Sequence, residues 1–114
     1  DVLAPLARAK RAAILAQTER TGESLALLEK ATAGPNPGME DWARLGEAYS
    51  GQQRYADAVA AFDKALAALE VEGPQHWYLY FARGSARERA GDWARGEADL
   101  REALARAPNE AIVL

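Results

Sequence analysis

The residues best equipped for chemistry in this sequence are a single histidine and a set of charged side chains toward its C-terminal end. His76 follows Gly73 and Pro74 in a chain without cysteine, and no cluster of carboxylates surrounds it, so it lacks the companions of a metal site. As a general base it would need an oriented partner, and the spacing of the acidic residues supplies none. We therefore expect His76 to lie in a loop at the surface.

Acidic and basic residues alternate along the last helical segment. They are Glu97, Asp99, Glu102 and Glu110, interleaved with Arg95, Arg101 and Arg106. This spacing is typical of a solvated helix face with ion pairs four residues apart. The sequence also contains no glycine-rich phosphate loop and no nucleophile elbow. We expect a non-enzymatic protein, with no catalytic residue, no cofactor and no metal ligand.

Composition limits the class of protein further. The 114 residues suit one compact domain or a short repeat array, and 49% apolar residues can build a core without metal or disulfide. A net charge of −3 disfavours nucleic acid as a partner, and no apolar run is long enough to span a bilayer. Abundant alanine and an excess of arginine over lysine indicate a GC-rich bacterial genome. The absence of cysteine favours neither the cytoplasm nor the periplasm.

Helical periodicity covers nearly the whole chain, and strand patterns are almost absent. Six helices are predicted at about 3–17, 23–33, 39–51, 55–70, 75–90 and 93–107. Glycine and proline interrupt them at "GPNPG" (34–38) and "VEGP" (71–74), and "GD" (91–92) forms a turn. Helices of this length with short links predict antiparallel hairpins.

The helical pairs repeat along the chain. Slides of 34 and then 38 residues superpose small residues on small residues, and the extra four fall in "VEGP". The superposed sets are Ala12, Gly46 and Gly84; Ser24, Ala58 and Gly96; and Ala31, Ala65 and Ala103. We expect Gly46 and Gly84 to lie where a first helix crosses its partner, because a side chain there would hold the two backbones apart.

This pattern resembles the tetratricopeptide repeat (TPR) family, whose unit is a helical hairpin of 34 residues. The residues that match its signature are Trp42, Leu45, Gly46, Tyr49, Ala58, Phe62 and Ala65, then Tyr80, Gly84, Gly96, Leu100, Ala103 and Pro108. The resemblance implies an all-α, right-handed solenoid of three antiparallel hairpins in one domain, 1–114. Its repeats would be a degenerate copy at 5–38 and further copies at 39–72 and 77–110. Residues 111–114 would begin a truncated repeat or a capping helix, as in a piece of a longer bacterial protein.

One departure between the copies concerns charge. Arg83 and Asp99 stand where the preceding copy has the apolar residues Leu45 and Ala61. An arginine at a semi-buried position needs a partner, so a structural ion pair between Arg83 and Asp99 is the first interpretation. A basic site for an acidic ligand is the alternative.

The TPR resemblance implies a concave groove that binds a peptide or a segment of a partner protein. The residues expected to line it are Lys10, Gln17, Arg44, Glu47, Ser50, Tyr78, Phe81, Ser85, Glu88 and Arg89. Tyr78 and Phe81 are the aromatic pair suited to binding, with packing on Trp77 and the neighbouring repeat as the alternative. The positions of the carboxylate clamp found in chaperone-binding TPR domains hold only one basic residue, Arg44, which disfavours that class of ligand.

The resemblance thus predicts a protein-interaction module, an adapter or scaffold. Two alternatives stay open. The chain could be a structural TPR segment of a larger enzyme or assembly factor. It could also self-associate as a homodimer through an uncapped C-terminal edge that includes Leu104, because repeat arrays need a neighbour at their ends.

Overall fold

The computed structural model describes residues 4–107, apart from the side chains of residues 4, 6–7 and 14–21. Five α-helices follow one another: α1 (Ala4–Ala33), α2 (Met39–Gly51), α3 (Tyr55–Ala67), α4 (Trp77–Arg89) and α5 (Trp93–Arg106). A short 3-10 helix, Pro74–His76, leads into α4. No strand occurs between residues 4 and 107, so the all-α prediction is confirmed for this part of the chain. Pro108 and residues 109–114 lie outside the described residues.

The prediction of two helices before residue 34 is wrong. A single helix, α1, runs through 30 residues, which is about 45 Å of helix. The segment contains one glycine, Gly22, and no proline after Pro5, and one glycine costs a helix only about 1 kcal/mol. The described residues therefore form two hairpins, α2–α3 and α4–α5, instead of three. "GPNPG" does end α1, since Pro35 and Pro37 cannot continue it.

The two hairpins close with the same turn. After α2, the Arg54 amide donates to the Tyr49 carbonyl at 2.9 Å and the Gln53 amide donates to Ser50 at 3.0 Å. After α4, Asp92 donates to Arg87 at 2.8 Å and Gly91 to Glu88 at 3.0 Å. This is the Schellman arrangement, in which one residue adopts the left-handed conformation. Here those residues are Gln53 (φ 60°) and Gly91 (φ 92°). The turns lie 38 residues apart, the same offset as the sequence repeat.

The core lies between the hairpins. Phe62 and Leu79 are its largest fully buried side chains, and they bring α3 against α4 together with Ala58, Ala65 and Ala86. Sequence reasoning assigned a packing role to Tyr80 and missed Leu79. On the other side of α2, Leu25 of α1 is buried against Leu45 and Ala61. The second half of α1 thus packs on the first hairpin.

Glycines mark both helix crossings, as the sequence pattern predicts. A β-carbon added at Gly46 would lie 2.7 Å from Cε1 of Phe62. One added at Gly84 would lie 2.9 Å from the Gly96 carbonyl oxygen, and one at Gly96 would lie 3.0 Å from the Gly84 carbonyl oxygen. A β-carbon at Gly46 or Gly84 would lie closer to its neighbour than packed atoms tolerate, and one at Gly96 would require the backbones to move apart slightly, so glycine suits this spacing.

Candidate functional site

The strongest charge cluster joins three helices. Asp99 of α5 accepts hydrogen bonds from Arg83 at both oxygens, with Nε to Oδ2 at 2.9 Å and Nη2 to Oδ1 at 2.7 Å. Arg87 Nη1 donates to Asp99 Oδ2 at 2.7 Å, and Arg83 Nη1 donates to Asp63 Oδ1 of α3 at 2.9 Å. Arg83 was paired with Asp99 from the sequence, but neither the partner of Arg87 nor the role of Asp63 was predicted.

The acidic and basic side chains of this cluster pair with one another. Asp99 is 4% exposed, and burial of a carboxylate is tolerated when several charge-assisted hydrogen bonds replace water. Burial lowers the pKa of Arg83, but the hydrogen bonds and charges of Asp99 and Asp63 outweigh it, so the pKa lies above its ordinary value. Both guanidinium groups are engaged within the chain, which favours the structural reading over a basic site for an acidic ligand.

A second polar cluster fixes the connection between the hairpins. The Tyr80 hydroxyl donates to Glu72, and the Arg106 guanidinium forms an ion pair with the same carboxylate. Arg106 also lies 4.8 Å from the centroid of the Tyr80 ring, within cation–π range. The hydrogen bond to Glu72 and burial raise the pKa of Tyr80. The inserted "VEGP" connection is thereby tied to α4 and α5.

A concavity suited to a ligand is a groove of about 510 Å³ between α2 and α4, closed at one end by the start of α3. Its floor is apolar and includes Phe62, Ala82 and Ala86. Its rim is polar, with Glu47 and Ser50 on α2 and Ser85 and Arg89 on α4, joined by Gly51, Gln53 and Tyr55 at the turn. An apolar floor inside a polar rim is the usual anatomy of a binding surface, and the volume suits a side chain or short peptide.

Phe81 is the aromatic residue of the groove wall. Its ring packs edge-on against Trp77, with centroids 6.2 Å apart and planes at 68°. Phe81 nevertheless stays 46% exposed, so packing on Trp77 leaves much of its ring open to a ligand. Sequence reasoning had set these two roles against each other, and the geometry allows both.

Tyr78 lies beside the start of α2, and its hydroxyl contacts Met39 Sδ at 3.5 Å. Burial, followed by the negative charges of Glu40 and Glu47, raises the pKa of Tyr78. Tyr78 does not line the groove described above. It occupies the same α2–α4 face, next to the groove.

The charged rim residues have distinct surroundings. Arg89 lies 5.7 Å from the centroid of the Tyr55 ring, with its Nη1 3.5 Å from the Tyr55 hydroxyl. Neither Glu47 nor Arg89 forms an ion pair with a side chain that the structure describes. The groove therefore offers one carboxylate and one guanidinium to an incoming partner.

Of the residues predicted for the groove, the structure brings five together: Glu47, Ser50, Phe81, Ser85 and Arg89. Glu88 lies elsewhere, because its Cγ packs over Gly96 at the crossing with α5. Lys10 is exposed on the first half of α1, Arg44 is exposed outside the groove, and the side chain of Gln17 is outside the described ones. Lys10 departs from the prediction because α1 continues straight instead of folding back.

Phe62, Ala86 and Tyr55 were not predicted as groove residues, whereas Ala82 stands at one of the clamp positions. Phe62 is a signature packing residue and was assigned only to the core, although it also closes the groove from below. Tyr55 was read as the start of a helix. Its position directly after a tight turn is the signal that could have placed it at the end of the groove.

The outer face of α5 carries a second, smaller concavity of about 340 Å³, lined by alanines and charged residues that include Ala94, Ala98 and Arg101. Leu104 is exposed on the same helix. Salt bridges from Arg101 to Glu97 at 2.6 Å and from Arg106 to Glu102 at 3.0 Å run along this helix. They are the four-residue ion pairs that the sequence predicts.

His76 accepts a hydrogen bond at Nδ1 from the Gly73 amide at 3.1 Å, which closes the 3-10 turn. Among the side chains that the structure describes, no group of histidine and acidic residues is arranged to hold a metal ion. None of the described helices is long and apolar enough to cross a membrane.

Comparison with known proteins gives no relative from which to transfer a role. No protein-family model matches the chain, and a search of curated proteins gives no significant similarity.

Proposed function

We propose that this chain is a non-enzymatic protein-interaction module that binds a peptide segment of a partner protein in the groove between α2 and α4. The observation that carries the proposal is Phe81, a large aromatic residue left 46% exposed on the wall of an apolar groove. Exposed aromatic residues beside an apolar pocket are the usual energetic centres of peptide recognition.

The proposal includes the class of fold. The two hairpins share signature residues, glycine crossings and turn geometry at one offset, which supports two TPR-type repeats stacked in a short right-handed solenoid. In such an arrangement the first helices of the repeats, here α2 and α4, line the ligand-binding face. No cofactor or catalytic group enters this function.

The rim defines the chemistry of the ligand. Glu47 and Arg89 offer opposite charges on either side of an apolar floor. The expected ligand is an extended or helical peptide with one apolar side chain between a basic and an acidic residue. Complementary charges would set its orientation, and the apolar anchor would supply most of the affinity.

A random peptide display library is the probe for this function. The full 114-residue chain should select peptides that share an apolar anchor, and Phe81→Ala should reduce their affinity at least tenfold. Trp93→Ala is the matched control, because Trp93 is 68% exposed on α5 and lies away from the groove. Equal losses in the two variants, or no selected peptide, would contradict the proposal.

A second candidate function is self-association through α5. Leu104 is exposed beside the 340 Å³ concavity on the outer face of this helix, where a further helix could stack. Leu104→Glu should then abolish a concentration-dependent increase in mass measured by light scattering. A mass that is independent of both concentration and this substitution would remove the candidate.

A further inference from the structure

The first half of α1 projects from the molecule. Every described side chain between residues 5 and 13 is exposed, whereas Leu25 in the second half is buried against α2 and α3. Among the described helices, the backbone of α1 lies close only to that of α2. The described side chains between residues 5 and 13 therefore stand without a packing partner among the described residues.

The sequence repeat identifies what should cover this helix. Leu27 is 69% exposed, although the residues that stand at the same place in the two hairpins, Ala61 and Asp99, are 3% and 4% exposed. The same contrast holds at three small-residue positions. Ala12, Ser24 and Ala31 are exposed, whereas their equivalents are buried: Gly46 and Gly84, Ala58 and Gly96, and Ala65 and Ala103.

We name Ala12, Ser24, Leu27 and Ala31 the α1 crossing face. In the second hairpin Gly84 meets Gly96 and Asp99 across a pair of antiparallel helices. In the first hairpin the close neighbour of Gly46 is Phe62, which stands at the place of Leu28. The surface that fits residues 23–33 is therefore the helix formed by residues 5–17, and the reverse also holds. Within one chain they cannot meet, because α1 is continuous and separates Ala12 from Ser24 by about 18 Å.

Charge supports the same pairing. Residues 4–17 contain Arg8, Lys10 and Arg11 and no acidic residue. Residues 23–33 contain Glu23 and Glu29 against one lysine, Lys30. The two segments thus carry net charges of opposite sign, +3 and −1, which favours their association.

We infer that the α1 crossing face is an interface between two copies of this chain, in which the α1 helices pair antiparallel. Residues 5–17 of each copy cover residues 23–33 of the other. The contact is self-complementary, as a two-fold symmetric dimer requires, and it is an exchange of the helix that would otherwise close a first hairpin.

Cysteine pairs test this interface directly, because the chain has no native cysteine. Chains carrying Ala12→Cys are mixed with tagged chains carrying Ser24→Cys and oxidised. Their equivalents Gly84 and Gly96 lie in backbone contact, so a disulfide between the two copies is geometrically allowed. We expect the mixed disulfide to exceed the two self-disulfides on a non-reducing gel.

The control pair is Lys10→Cys with Gly22→Cys, which has the same separation along α1. Their equivalents Arg44 and Ala56 are exposed in the first hairpin, so this pair should give no excess of mixed disulfide. Light scattering of the unmodified chain should give twice the mass of 12.3 kDa. Leu104→Glu should leave that mass unchanged, which separates this dimer from association through α5.

Three outcomes overturn the inference. A monomeric mass without an excess of mixed disulfide would assign the α1 crossing face to some other occupant. A disulfide formed inside one chain of the double variant Ala12→Cys/Ser24→Cys would show that α1 folds back on itself. If the control pair gave as large an excess of mixed disulfide as the test pair, the disulfides would be products of random collision and not of a specific interface.

Discussion

The carboxylate of Asp99 accepts two hydrogen bonds, of 2.7 and 2.9 Å, from the guanidinium of Arg83 at the point where α4 and α5 cross through their glycines. The backbones approach closely there because Gly84 and Gly96 lack side chains. This proximity brings the two charged groups within reach at a nearly buried position. The ion pair therefore depends on the glycines.

Removal of Asp99 should be costly. Asp99→Ala leaves Arg83 and Arg87 without their shared partner in a largely buried site, so the free energy of unfolding should fall by about 3 kcal/mol. Denaturant titration followed by circular dichroism measures this change. Asp57→Ala is the control, because its ion pair with Arg54 is exposed and should contribute less than about 1 kcal/mol.

The preceding hairpin supplies a compensating double variant. Arg83→Leu with Asp99→Ala recreates the apolar pair Leu45 and Ala61 of that hairpin. In the double variant both members of the pair are removed, so neither is left buried without the other. Its loss of stability should therefore be smaller than the sum of the losses in the two single variants. Strict additivity in a double-mutant cycle would contradict the account of this pair.

Gly46→Leu should unfold or strongly destabilise the first hairpin. A β-carbon alone would lie 2.7 Å from the Phe62 ring, and a leucine adds more volume, so a loss of about 3 kcal/mol or more is expected. Gly51→Leu in the same helix is the control, since nothing lies within 4 Å of its added β-carbon. Thermal unfolding of the two variants gives the comparison, and equal melting temperatures would count against the crossing.

Substitutions at the two turns should change the free energy of unfolding in opposite directions. Gln53 holds a left-handed conformation at φ 60°, which strains a residue with a side chain, so Gln53→Gly should raise the free energy of unfolding by about 1 kcal/mol. Gly91→Ala introduces the same strain at φ 92° and should lower it by about 1 to 2 kcal/mol. Chemical unfolding of the pair tests the shared turn, and two changes of the same sign would argue against it.

Alkaline pH should destabilise the fold through Tyr80. Its hydrogen bond to Glu72 and its burial raise the pKa above the ordinary value of 10.0, so the folded state holds the phenol proton more tightly. The resulting stability is complete below pH 10.0 and is lost as the pH rises through the higher folded-state pKa. Tyr80→Phe should show a shallower decline over this range, and an unchanged slope would mean that Tyr80 does not contribute.

The sequence was sufficient to predict four of the five helices. Met39, Tyr55 and Trp93 begin helices in the structure where helical periodicity starts, because glycine, proline or a tight turn precedes each of them. No strong helix breaker separates the halves of α1, so the local sequence permits one continuous helix. Its continuity was missed because the repeat symmetry suggested a turn at this place. A repeat pattern states which surfaces are complementary, but not whether they meet within one chain.

The contacts between the two hairpins were also not predicted from the sequence. Asp63, Leu79 and Tyr55 acquire their roles from the way α3 packs on α4, which depends on the angle between hairpins. Residue spacing fixes the partners of a residue within a hairpin, as for Arg83 and Asp99. It does not fix that angle, so about half of the predicted groove residues line the groove and its floor was not foreseen.

The most direct test of the central claim is a titration of the isotopically labelled chain with a peptide selected from the display library, followed by backbone amide chemical shifts. The proposed function predicts that the largest shift changes map to the groove, at Ser50, Phe81, Ser85 and Arg89, and that they disappear in Phe81→Ala. Largest changes on α5 between residues 94 and 105, or on α1, would contradict a binding site between α2 and α4.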